Sequence, residues 1–260
     1  MNHSMQKIPL TQDLTQYQFP PSPGKHYGFN IYALHADQNV LLIDTAYPRH
    51  AEAVRRDLEA EGRSVGYVVI SHFHEDHYSG LTIFPEATIL GSKDFATSQT
   101  LHPPEEGIAN ITPGILLDQD ATLPFGPFEL VFQKAPGHSD CSLNTVIDGR
   151  FIHVGDNLIL SNDGEPVLPY AHAEDVPKHI QSLLDLRKSS NKILLPGHGS
   201  CLEGDTRIKA DIDDRLCYLN NVSGSEEPLT YTRATAGCVG NFLHEEWHEI
   251  LYPPGPSNPC

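Results

Sequence analysis

A single domain of α/β or α+β class is what the sequence predicts, and three observations carry that reading. Short apolar runs rich in β-branched residues alternate with segments of helical spacing along the whole chain. A length of 260 residues suits one large domain whose packed layers enclose a full core. Four of the apolar runs end in residues of metal-ligand type, as "VVI-SHFHEDH", "FQKAPGH", "FIHVGD" and "ILLPGH". Chemistry is therefore expected along one edge of a sheet, where strand ends converge.

The elements follow in order. The opening 25 residues are rich in proline and glutamine and are expected to wrap the surface. Two β-runs, about 27–35 and 40–44, flank a polar turn. "RHAEAVRRDLEAEG" (49–62) has helical spacing, with Gly62 placed to end it. "VGYVVI" is a strand that runs straight into residues 71–80. "ATIL", a helix near 92–101, a Pro/Gly-rich loop at 103–114 and strands near 115–118 come next. "FELVFQK", "CSLNTVIDG" and "RFIHVGD" read as strands, followed by a helix over 173–190 and the strand "KILLP". Residues 203–260 form a C-terminal extension near the cleft, with one helix from 205.

Charge excludes some functions. Seventeen basic residues against 34 acidic ones give a net charge of -17, a field that repels phosphate backbones, so no nucleic-acid partner is expected. No run approaches the roughly 18 apolar residues of a membrane span. The first 25 residues lack a secretory signal's basic start and apolar stretch, so a cytoplasmic location is expected. Cys141, Cys201, Cys217, Cys238 and Cys260 form no CxxC pair and read as reduced thiols. The "NIT" and "NVS" sequons have no secretory context, and Tyr78 and Ser79 are expected to pack rather than face a cleft.

"SHFHEDHYSG" (71–80) is the densest chemical signal, with three histidines and two acids in six positions. In an extended segment His72, His74 and Asp76 share one side while Phe73 and Glu75 face away, so Glu75 is not expected to be a ligand. His77 can reach a second ion if the chain turns there. With His138, Asp156 and His198 from the other strand ends, the donors number seven, too many for one tetrahedral ion. Two divalent ions about 3.5–4 Å apart would employ them all. Neutral imidazoles with a few carboxylates suit zinc best, with iron or manganese as alternatives.

These motifs, from "VLLIDT" (40–45) to "LLPGHG" (194–199), resemble the metallo-β-lactamase superfamily in its branch nearest glyoxalase II. The resemblance implies an αββα four-layer sandwich, with His72, His74 and His138 on a first metal and Asp76, His77 and His198 on a second. Asp156 would bridge the two, and Asp44 would steady the site from behind the ligands. It further implies a metal-dependent hydrolase in which Asp76, the catalytic carboxylate, orients the attacking water. Flavodiiron relatives carry glutamate where this chain has His74. True β-lactamases usually have cysteine or serine where this chain has Asp156, which favours a small-molecule thioester or related acyl substrate. Lactonases place a tyrosine a few residues past the bridging aspartate, whereas none occurs here between Asp156 and Tyr170. The alternatives are a β-lactamase or lactonase on the same site, or a mononuclear iron oxygenase of the persulfide dioxygenase type.

One competing motif lies in the tail. "LHEEWHEI" (243–250) fits HExxH, which on a helix can bind zinc through His244 and His248. The pattern fixes only three positions, and no third ligand follows. A place beside the substrate cleft is the better expectation for Trp247.

Overall fold

The computed structural model describes residues 5–101, 111–225 and 229–253. The first part of the chain forms β1 (Gln6–Pro9), β2 (Leu14–Gln18), β3 (Asn30–Ala36), β4 (Asn39–Ile43), α1 (Pro48–Ala60), β5 (Ser64–Ile70) and α2 (Glu75–Tyr78). A 3-10 turn (Ser79–Ile83), β6 (Thr88–Ser92), α3 (Phe95–Leu101) and β7 (Ile115–Leu117) complete it. The second part forms β8 (Ala121–Phe125), β9 (Phe128–Lys134), β10 (Leu143–Ile147), β11 (Phe151–Gly155), α4 (Val176–Arg187) and β12 (Ile193–Pro196). The helices α5 (Asp205–Ser223), α6 (Tyr231–Ala234) and α7 (Glu246–Leu251) follow.

Strands β1 to β7 lie in chain order in one sheet, and the second sheet runs β12-β11-β10-β9-β8. The first four strands are antiparallel neighbours, whereas β4 to β7 pair in parallel, so each of those connections must cross over. Alternation along β3 explains the layers. Tyr32 and Leu34 face a core shared with Leu130, Phe132 and Leu143 of the second sheet. Ile31 and Ala33 face a core shared with Val54 and Leu58 of α1. On the far side, Ile152 and Val154 of β11 meet Leu183 and Leu186 of α4 and Ile208 and Ile212 of α5. The stack is helix, sheet, sheet, helix: the αββα sandwich. Both sheets are covered on both faces, so their central strands read as continuous apolar runs.

The opening segment departs from expectation. It wraps the surface only in part: β1 is largely exposed, whereas β2 is buried along its whole length. Leu14 joins the core between the sheets and Tyr17 the core under α1. The glutamines that suggested exposure are satisfied internally. Gln16 donates to Asn30 Oδ1 at 3.0 Å, and Gln18 donates to the carbonyl of Gly199 at 2.8 Å. Asn30 itself donates to the carbonyls of Pro196 and Gly199 at 2.9 and 2.8 Å. Buried amides with partners like these cost little and fix position. Of the loop expected at 103–114, residues 103–110 lie outside the described residues, as do Cys260 and the asparagine of the first sequon. The other four cysteines are free, and Tyr78 is buried against Phe73. Among the described residues no helix is long and apolar enough to cross a membrane.

Buried histidines predict an acid limit to stability. Burial, then the charge of Arg63, lowers His35 from 6.5 to about 4. Burial, with help from the charges of His138 and Arg215, lowers His179 to about 4. A group held neutral in the fold contributes stability that is complete above its unfolded pKa and lost as pH falls toward its folded one. Through these two groups the melting temperature is thus expected to fall as pH drops from 6.5 to 4, by about 2–4 °C for each kcal/mol lost. Thermal melts across that range check it, and His35→Gln should flatten part of the slope.

Candidate metal centre

The strand ends deliver their polar residues to one place. β5 ends at Ile70, and the chain bends through Ser71 and His72 before α2 begins at Glu75. His138 comes from the loop after β9, Asp156 follows β11, and His198 follows β12. Three overlapping donor groups result: His72, His74 and His138; His72, His77 and Asp156; and Asp76, His77 and His198. Within each group the donor atoms lie within 4.8 Å of one another. All seven residues singled out from the sequence are thus gathered, from positions as far apart as 72 and 198.

The expected alternation is corrected in one respect. The extended chain stops at His74, the N-cap of α2, so Asp76 does not share a side with His72 and His74. The helical turn instead carries Asp76 and His77 round to His198.

Four of the imidazoles have one nitrogen anchored by the protein. His77 Nδ1 donates to Asp44 Oδ2 at 2.8 Å, and His138 Nδ1 donates to the carbonyl of Tyr170 at 3.0 Å. His198 Nδ1 donates to the carbonyl of Gly28 at 3.2 Å. Ser71 Oγ donates to Asp44 Oδ2 at 2.7 Å, which leaves it to accept from His72 Nδ1 at 3.1 Å. Each anchor selects the tautomer with its lone pair on Nε2, the form that ligates a metal. His74 Nδ1 approaches His138 Nε2 to 2.9 Å. Asp44 is 1% exposed and also accepts from the Ser71 amide at 2.8 Å, so one carboxylate braces the 71–77 segment at three points.

Asp156 sits among all of this. Its Oδ1 lies 3.4 Å from His77 Nε2, and its Oδ2 lies 3.2 Å from His198 Nε2 and 3.7 Å from His138 Nε2. Asp76 lies 3.4 Å from His198 Nε2 and 3.8 Å from His77 Nε2. Buried within the cluster, His72 Nε2, His77 Nε2 and Asp156 Oδ1 have no hydrogen-bond partner. Buried polar atoms rarely stay orphaned, and these point at a shared centre, so the donor set fits divalent cations. Electrostatics agree. Burial, then neighbouring His77 and His74, holds His72 well below its usual value and so in its ligating form. Burial opposes a charged His198, yet Asp156 and Asp76 overcome it and push it up to about 9. The carboxylates demand positive charge between them.

Close approach requires glycine at position 197. A Cβ there would meet Asp156 Oδ1 at 2.6 Å and His77 Cε1 at 2.7 Å. Gly197→Ala is expected to push this carboxylate away and lower bound metal by one equivalent or more, with metal content by mass spectrometry as the check. Sequence reasoning missed Ser71, Gly197 and the carbonyls of Gly28 and Tyr170. Backbone acceptors have no side-chain signature, so only "PGH" hinted at the glycine.

The tail motif is not a zinc site. His244 has φ +63 and precedes α7, so it and His248 are not stacked on one helix face. Both nitrogens of His248 are engaged, with Tyr218 Oη at 2.9 Å and the Leu229 carbonyl at 2.6 Å.

Residues 28–198 match the sequence profile of the metallo-beta-lactamase superfamily, two thirds of the chain and every candidate donor. The chain belongs to the metallo-β-lactamase superfamily. A curated relative of this metallo-β-lactamase-fold protein is the lactamase-like protein nscB of Arthroderma benhamiae, 25% identical over 229 residues, 86% of this chain and 47% of the relative. Thioesterase pkgB of Emericella nidulans is 27% identical over 187 residues, 71% of this chain and 49% of the relative. The chain spans about half the length of these two relatives. Among solved structures, a metallo-beta-lactamase from Pontibacter korlensis matches with TM-score 0.65 and 15% identity, covering 81% of this chain and 100% of the other. That likeness speaks for the fold.

Proposed function

We propose that this superfamily member is a dinuclear metal-dependent hydrolase of the glyoxalase II-like branch, acting on a small-molecule thioester. The observation that carries it is Asp156, whose carboxylate lies between two donor groups, reaching His138 of one and His77 and His198 of another. His72, His74 and His138 would hold one ion, Asp76, His77 and His198 the second, and Asp156 both. Bound there, divalent cations, best zinc, supply Lewis acidity and lower the pKa of a bound water to around 7.

The chain's own residues do the rest. The side chain of Asp76 is 30% exposed against 6% for that of Asp156, so Asp76 is the carboxylate of the set that incoming water reaches. It orients that water and accepts its proton. Asp44 holds His77 and His72 in register, so the donors do not reorganise during turnover. None of the donors is a strong general acid, which suits a thiolate leaving group that departs without protonation and disfavours an amide. The relative named a thioesterase supports the same choice. The motif residues give the reading its substrate class, and the acidic chain gives it a small-molecule partner rather than nucleic acid.

The test is a panel of thioesters, lactones and a chromogenic cephalosporin, with metal counted on the same sample. Thioester turnover should fall at least 100-fold after chelation, the upper range for loss of metal-site support, and return with zinc. Two equivalents of metal and thioester preference are expected. Turnover that survives in metal-free protein would end the proposal, and oxygen uptake with one iron per chain would replace it.

A further inference from the structure

We propose that an aromatic wall beside the metal centre makes this protein selective for thioesters of flat, π-rich acyl groups; this rests on the thioesterase reading. Three segments remote in sequence meet there. Tyr27 comes from before β3, Tyr170 from between β11 and α4, and Trp247 from α7. Tyr27 lies edge-on to His198 with ring centroids 4.9 Å apart. Tyr170 lies 5.9 Å from His138, whose Nδ1 its own carbonyl holds. Trp247 packs edge-on against both tyrosines, at 6.1 and 5.5 Å. One tyrosine thus borders the group holding His198, the other the group holding His138, and the indole joins them.

The wall is fixed before any ligand arrives. His244 stacks on Trp247 at 5.0 Å, and Lys25 Nζ lies 4.7 Å from the ring centroid. Trp247 is 8% exposed, whereas Tyr27 and Tyr170 are half-buried and keep surface to offer. All three rings also pack in or against the core between the second sheet and its helices, and the two tyrosines keep part of their surface at the rim of the polar cluster. Rings locked at steep angles to one another offer edges and faces that a planar group can meet together. A flexible alkyl chain gains area from such a wall but none of the ring-ring attraction. Each such pair is worth about a 2- to 12-fold change in affinity.

Trp247 is the chain's single tryptophan, so its fluorescence reports on the wall directly. The experiment titrates metal-loaded protein with two non-hydrolysable ketone analogues, an aryl and an alkyl thioether, and measures turnover of the matching thioesters of one thiol. The aryl analogue is expected to quench Trp247 and bind tighter. Tyr27→Leu and Tyr170→Leu should each shift the aryl-to-alkyl affinity ratio about 2- to 12-fold toward alkyl, while Tyr27→Phe retains the preference. Equal affinity for both analogues in the wild type, or ratios that do not move in the leucine variants, overturns the inference. Selective quenching with no turnover of either thioester upholds the wall and removes the thioesterase reading instead.

Discussion

Asp156→Asn is expected to lose most bound metal and at least 100-fold in thioester turnover, although the side chain keeps its shape. The physical reason is charge. Asp156 is 7% exposed and faces His77, His138 and His198 within 3.7 Å. As a carboxylate it offers two anionic oxygens. As an amide it offers one neutral oxygen and, on the other side, two N–H groups aimed at nitrogen lone pairs. Loss of an outer partner of a metal ligand already costs about 10- to 100-fold. Loss of the carboxylate shared by three histidines must cost more. Metal analysis and kcat/KM on one preparation check it, with a thermal melt to show that the fold persists. Wild-type metal content and rate in this variant would mean that Asp156 holds no ion.

Arg215→Met is expected to destabilise the fold by about 3–5 kcal/mol, the usual cost of removing one partner of a buried ion pair. Arg215 on α5 is fully buried. Its guanidinium donates to Asp211 Oδ2 at 2.7 Å and to the carbonyls of Val167 and Ile159 at 2.7 and 2.8 Å. Methionine fills the volume but leaves a buried carboxylate and two carbonyls unanswered. Adding Asp211→Leu should recover part of the loss, because an apolar pair no longer strands a charge. Urea unfolding measures both. A single variant within 1 kcal/mol of wild type would show that water reaches the site readily.

The chain disclosed its layers and its donors because both follow from local rules. A strand buried on two faces is a run of apolar residues, as "VGYVVI" and "KILLP" are, and a histidine directly after such a run has only the sheet edge to occupy. What stayed hidden depends on distant partners. β2 looked exposed because the residues that satisfy Gln16 and Gln18 are Asn30 and Gly199. β8 carries a proline and a half-exposed alternation, and it is not among the strands expected from the sequence. The side shared by His72, His74 and Asp76 failed because alternation assumes an extended chain, and α2 begins within the motif. HExxH was discounted for want of a third ligand, and the structure adds a reason that spacing alone does not show: residue 244 stands outside the helix.

The glutamine and asparagine contacts of β2 and β3 have an evolutionary and practical consequence. They tie the beginning of the chain to the hairpin bearing His198, although β2 lies outside residues 28–198. A fragment trimmed to the recognised homology would contain every donor and keep the hold of Asn30 on Pro196, yet lose the bonds from Gln16 and Gln18 that brace the turn after His198. Domain boundaries drawn by similarity and boundaries drawn by mechanical integrity do not coincide in this molecule.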